Sequence, residues 1–192
     1  MQPYLSRSRY IDFDDEQVKA CATALVRNAA SELDVVARCF AFVRDEIRHS
    51  SDFKLNPVTC KASDVLRHRT GFCYAKSHLL AALLRANGIP AGLCYQRLSV
   101  NGGGAPYCLH GLSAVFLKDF GWYRLDPRGN KPGIQSEFRP PTPALAFSIT
   151  LPLERDLPEI WPAPLPVVTD VLERYSTYDA VLANLPDLEP AC

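Results

Sequence analysis

Apolar residues at Leu33, Val36, Phe40, Val43 and Ile47 recur every three or four positions, which predicts a helix over residues 31–48 with one stripe turned to a core. Ser31 is placed to cap it, Glu32 and Asp34 stand in its first turn, and Arg44 and Arg48 suit the negative end of the helix dipole. A less sharply patterned stretch predicts an earlier helix over 14–28. Residues 50–70, broken at Asn56-Pro57, read as loop with one helical turn near 63–66. From Cys73 to Ala86 the positions Ala75, Leu79, Ala82, Leu83 and Ala86 return to helical spacing. Asn87-Gly88-Ile89-Pro90 then supplies a left-handed cap glycine and a proline stop.

Beyond that helix the pattern changes to apolar and β-branched runs at 91–100, 108–117 and 122–126, parted by Asn101-Gly102-Gly103-Gly104 and Asp119-Phe120-Gly121. These predict antiparallel strands joined by turns, and helices followed by strands favour an α+β arrangement. A three-residue loop at 119–121 would pair Lys118 with Trp122 and set Asp126 opposite Ala114. His110 and Asp126 then share a face but stand four residues out of register, about 13 Å along a strand, so contact between them requires a bulge or a shift.

Residues 139–192 hold ten of the sixteen prolines, eight acidic side chains and three basic ones. Their apolar content is too high for a disordered linker. They predict an acidic, extended strap on a core of residues 1–138, within the same domain, ending in a short helix near 167–182. Over the whole chain 21 basic residues balance 21 acidic ones, which leaves no basic excess for a phosphate backbone and excludes nucleic acid as the expected partner. No apolar h-region follows the N-terminus and no run of about 18 apolar residues occurs, so neither membrane insertion nor export is expected and a cytoplasmic protein fits. Seven cysteines, an odd number scattered singly, read as reduced thiols; with no C-x-x-C, neither a metal site nor a cofactor is expected, and the final residue, Cys192, cannot form a prenylation box.

Gly71-Phe72-Cys73-Tyr74 puts a thiol at the start of an apolar helix, where free backbone N–H groups favour a thiolate and are placed to hold an oxyanion. A small buried hydrophobe is the plainer reading of Cys73 alone. A nucleophilic cysteine needs a base, and four histidines are available. His49 follows a helix end and reads as a C-terminal cap. His68 lies in the surface-like run Arg67-His68-Arg69, and His78 is turned roughly 140° from Cys73 around the helix. His110, on a strand, remains. Asp126 closes the strand Trp122-Tyr123-Arg124-Leu125-Asp126 before Pro127, where it is either the group that orients the histidine or an ordinary Asp-Pro turn.

Gly71-Phe72-Cys73, followed by Leu79-Leu80-Ala81-Ala82-Leu83-Leu84-Arg85-Ala86-Asn87-Gly88-Ile89-Pro90-Ala91, resembles the nucleophile helix of the transglutaminase-like superfamily. His110, and then Gly121-Trp122-Tyr123-Arg124-Leu125-Asp126-Pro127, resemble that family's histidine and aspartate strands in the same order. The resemblance covers residues 36–130, and Arg9-Tyr10-Ile11-Asp12 is similar to a lead-in of bacterial members. It implies a papain-like α+β fold with a Cys73–His110–Asp126 triad acting through a thioester on a peptide, protein or small amide. Family members include cross-linking enzymes, amide-cleaving cysteine hydrolases of the bacterial peptidase type, and proteins that only bind. Hydrolysis is favoured here because the small neutral domain offers no evident second substrate site, with amine transfer or a binding module as alternatives; a calcium loop of the D-x-D-x-D-G kind is not present. Where many relatives carry an acidic or small polar residue after the cysteine, Tyr74-Ala75-Lys76 follows, and Lys76, one turn on, either supports the thiolate or is a solvated helix residue. Arg128 reads as a surface arginine after a turn or as the partner of a carboxylate at the cleft.

Overall fold

A computed structural model describes residues 1–188. The first helix, α1 (Glu16–Leu25), starts where the Asp15 carboxylate accepts from the N–H groups of Gln17 and Val18. The second, α2 (Glu32–Ala41), is capped by Ser31 as its sequence predicts, but it does not run to residue 48. At Phe42–Glu46 the helix widens into a π turn, and Ile47 leaves in extended conformation. The wider turn keeps Val43 and Ile47 in the core and turns the carbonyls of Arg44 and Ile47 toward a later helix; Leu33, in the first turn, lies 36% exposed and outside the expected stripe.

The chain then makes a short strand β1 (Arg48–His49), a single turn α3 (Ser50–Phe53), the helix α4 (Ala62–His68) and a strand β2 (Thr70–Gly71) parallel to β1. The segment expected to be mostly loop is therefore more ordered than its broken pattern suggested. Immediately after β2 comes α5 (Cys73–Ala86), with the predicted bounds and with Gly88 at φ +73° behind it. Thirteen of its fourteen residues are buried, which a one-sided stripe does not foretell. It is the central helix, with α1, α2 and α4 on one side and the main sheet on the other. Each large apolar side chain it buries contributes about 1.5–3 kcal/mol.

That sheet is antiparallel, in the order β5 (Gly121–Leu125), β4 (Tyr107–Leu117), β3 (Ala91–Ser99), β6 (Arg155–Asp156). In the β4–β5 hairpin Leu117 pairs with Gly121 and Ser113 with Leu125, so the loop is 118–120 rather than 119–121, and Gly121, at φ +71°, opens β5. The register therefore differs by two residues from the expected one and carries Asp126 toward His110. Residues 139–188 run mostly without regular structure across the sheet, contribute β6, and form two helices where one was expected, α6 (Pro166–Arg174) and α7 (Tyr178–Leu182). Val168, Leu172 and Val181 from these helices join the same buried cluster as α5. Residues 189–192, with Cys192, lie outside the described residues. Among the described residues no helix is long and apolar enough to cross a membrane.

Candidate active site

Cys73 is the first residue of α5, so its backbone N–H lacks an intrahelical acceptor and donates instead to Nε2 of His49 at 3.2 Å. Its Sγ accepts from the N–H of Gly111 on β4 at 3.4 Å. This approach depends on Gly111, because a Cβ there would stand 2.7 Å from Cδ1 of the Tyr74 ring and 3.0 Å from the Tyr74 Cα. The Tyr74 hydroxyl fastens the same contact by donating to the carbonyl of Leu109. The start of α5 is thereby pressed against β4 beside His110.

Nε2 of His110 lies 2.7 Å from Oδ2 of Asp126, which leaves Nδ1 for the thiol. The two-residue change of register is the shift, one of the two routes to contact that the expected pairing left open. Asp126 is fully buried and takes further N–H bonds from Arg128 at 3.1 Å and Ala146 at 3.2 Å, while its carbonyl accepts from Ser136 Oγ at 2.7 Å. Burial pushes its carboxyl upward, but the His110 charge and these hydrogen bonds outweigh it and hold the group below the usual carboxylate range. For His110 burial acts downward, while the Asp126 carboxylate and then Cys73, by charge and hydrogen bonding, push it up to about 10. At neutral pH the ring is an imidazolium held between the Asp126 carboxylate and the Cys73 sulfur. Phe147 meets it edge to face, with ring centroids 4.8 Å apart.

His49 is not the helix cap that its place in the sequence suggested. The helix has already ended, and His49 sits on β1 opposite Gly71, 7% exposed, with Nδ1 3.0 Å from Ser51 Oγ and 3.8 Å from Asp52 Oδ2. Burial, followed by the positive charge of Arg128, drives it well below the ordinary histidine range, so it is neutral. Asp52 does little to reverse this, because its carboxylate is already paired with Arg128 at 2.8 Å and Lys131 at 2.6 Å. Arg128 is thus a buried cleft residue with a carboxylate partner and not a surface arginine. In the structure Ile47 and His49 are buried and Arg48 between them is exposed, the period of a strand.

Lys76 fits neither of its two expected roles. It is fully buried, and Nζ donates to the carbonyls of Arg44, at 3.2 Å, and Ile47. It ties α5 to the segment that leads into β1. Burial lowers it to about 7, against the pull of Asp126. His68 ends α4 on the surface, and His78 points away from Cys73, donating from Nδ1 to the carbonyl of Cys60 at 2.7 Å. Among the described residues no cluster of three or more His, Cys, Asp or Glu is placed to hold a metal.

A central helix that delivers its first-residue cysteine to a His–Asp pair on an antiparallel sheet defines a papain-like α+β core. Residues 19–127 match the model of the transglutaminase-like superfamily, and the chain belongs to that family. A Cytophaga hutchinsonii structure described as a candidate cysteine protease aligns at 21% identity and a TM-score of 0.53, over 66% of this chain and 41% of that one. The periplasmic domain of TgpA from Pseudomonas aeruginosa aligns at 23% identity and 0.46, over 65% of this chain and 45% of that one. Red sea bream transglutaminase aligns at 13% identity and 0.47, over 61% and 27%. The alignments thus span less than half the length of each of these structures. No curated protein matches the chain.

Proposed function

We propose that the protein is a cysteine acyl-transfer enzyme that cleaves an amide bond, with Cys73 as nucleophile, His110 as acid and base, and Asp126 as the group that orients His110. The single observation behind this is the buried His110–Asp126 pair, 2.7 Å apart, set against a thiol at a helix start. In the proposed reaction Cys73 acts as the thiolate, beside the proton held on His110. The thiolate attacks the carbonyl carbon, an S–C bond forms, and the carbonyl electron pair moves onto oxygen. When the C–N bond breaks, the Nδ1 proton of His110 passes to the departing nitrogen and a thioester remains. Water gives one proton to the now neutral His110 and attacks the thioester; the S–C bond breaks with its electron pair on sulfur, and the acid leaves as a carboxylate with its proton passed to solvent, which restores the ion pair.

The oxyanion needs donors, and the Cys73 N–H is one. We assign His49 as the second. In the resting geometry its Nε2 accepts from that N–H. Ser51 Oγ, facing Nδ1, is equally able to donate as to accept, so the neutral ring has access to the tautomer with hydrogen on Nε2. The Cys73 nitrogen and Nε2 are 3.2 Å apart, so an oxygen to one side of the line between them is within reach of both hydrogens once the two N–H groups turn from each other toward it. His49→Gln, which keeps a donor, should retain kcat within about ten-fold, whereas His49→Ala should lose roughly 10²–10³-fold. Equal losses in the two variants would remove the assignment.

The reaction is tested by following amine or ammonia release from peptide amides, with and without an added primary amine. Release in buffer alone, absent in Cys73→Ala and His110→Ala, is the expected result. Release that rises steeply with amine, together with amine incorporation, would make the enzyme a transferase with the same residues. Activity unchanged in His110→Ala would overturn the proposal.

A further inference from the structure

The cleft over Cys73 is about 470 Å³ and has two chemically different ends. His49, Ser51 and Arg128 form one, joined through Asp52. Leu98, Val100, Cys108, Leu109 and Leu185 line the other, from the open end of the β3–β4 hairpin and from the segment after α7, while Leu182 belongs to neither end, because α7 packs against α3, which carries Ser51. That second wall is fastened in place. Leu109 N–H donates to the carbonyl of Pro186 at 2.7 Å, and Arg97 holds Asp187 through two bonds of 2.7 and 2.6 Å.

The charged side chains in the lining are already engaged. Arg128 is paired with Asp52, and the Glu154 carboxylate accepts from Ser99 N at 3.0 Å, Thr150 N at 2.9 Å, Thr150 Oγ1 at 3.1 Å and Leu151 N at 3.0 Å. A charged or strongly polar group entering the Leu98–Leu185 end would give up its water for an apolar wall.

We infer that this apolar end is an acyl pocket, and that the substrate is an amide whose acyl residue carries a bulky aliphatic or aromatic side chain. The inference rests on the acyl-transfer mechanism, because that mechanism orients the substrate. The carbonyl oxygen points to Cys73 N–H and His49, at the polar end. At a trigonal carbon the two other substituents lie about 120° from that oxygen; the nitrogen is turned to His110, and the acyl group is left facing the apolar end. A glutamine side chain as donor would bring its peptide main chain into the same wall, with polar groups unpaired.

The test is a series of N-acetyl aminoacyl anilides with leucine, phenylalanine, glutamine, glutamate and lysine as acyl residue, together with the side-chain carboxamide of N-acetylglutamine. The intact chain should turn over the leucyl and phenylalanyl anilides with kcat/KM at least about ten-fold above the others. Val100, 42% exposed, can be charged at little cost to the fold. Val100→Arg should lower kcat/KM for the leucyl and phenylalanyl anilides about ten-fold and raise it for the glutamyl anilide, while iodoacetamide, which has no acyl side chain, labels Cys73 at an unchanged rate. Turnover that needs Cys73 but favours the glutamine carboxamide or a charged anilide, or ignores Val100→Arg, would overturn the pocket and leave the mechanism standing. If no member of the series gave Cys73-dependent turnover, the mechanism would fall and the pocket with it.

Discussion

The two sides of α5 each bury a histidine, and the two behave oppositely. His110, on the sheet side, is 5% exposed and pushed up to about 10, whereas His78, on the helical side, is 1% exposed and lowered to about 4. Burial acts downward on both. His110 faces the Asp126 carboxylate at 2.7 Å, whose charge, with a smaller contribution from Cys73, overturns the desolvation cost. His78 has a carbonyl on Nδ1, no partner in the structure for Nε2, and Asp12 as a weaker influence. What separates the two imidazoles is a single partner with full negative charge, not depth.

The largest effect should come from removing the groups on the sheet side. Cys73→Ala and His110→Ala should each cut kcat by 10³-fold or more, and the double variant should be no slower than Cys73→Ala, because residues that act in one step are not additive. A further loss in the double variant would mean that His110 works apart from the thiol. Substitution of His78 by Ala or Leu should leave the kcat of the folded protein within about three-fold.

Next in size is the removal of the charge that distinguishes the two histidines. Asp126→Asn should reduce kcat by roughly 10²–10⁴-fold. With its carboxylate, His110 keeps its proton up to about 10, so activity should decline on the alkaline side only near that pH. Without it burial is less strongly opposed, and the alkaline limb of the kcat/KM profile should move down. A limb that stays in place in Asp126→Asn would show that another group sets it.

The helix that carries Cys73 and the faces of His110 and Asp126 were legible in the sequence, since spacing and parity are local properties. The hairpin register was not. A loop drawn one residue late, with Gly121 inside it instead of opening β5, displaced the pairing by two. The π turn at Phe42–Glu46 was hidden because it preserves the inward positions Val43 and Ile47 while changing the backbone between them. His49 was missed for a related reason: two residues of strand are too few for a periodic signal, and its place beside Cys73 comes from parallel pairing with a segment more than twenty residues away. For Lys76 and Arg128 the sequence left a solvated or surface reading open beside a role at the cleft, because charged side chains are usually exposed; their partners, the Arg44 and Ile47 carbonyls and Asp52, are not adjacent to them in the chain.

The smallest effect should appear on the helical side and in stability rather than rate. His78 is held near 4 in the folded chain but titrates near 6.5 when unfolded, so between these values the unfolded chain binds a proton that the folded one refuses. More protons bound in the unfolded state means that stability rises with pH across this window and falls as the solution is acidified. The loss should approach roughly 3 kcal/mol by pH 4. His78→Leu, of similar volume, should cost about 1–2 kcal/mol at pH 7 by leaving the Cys60 carbonyl unpaired, yet it should lose less on going from pH 7 to pH 4.5. Urea midpoints of both proteins at the two pH values measure the difference, from which the contributions of His49 and the carboxylates, common to both chains, cancel. Equal acid losses would mean that the buried, uncharged state of His78 is not the source of the acid sensitivity, and that the contrast between the two sides of α5 lies only in the charge beside His110.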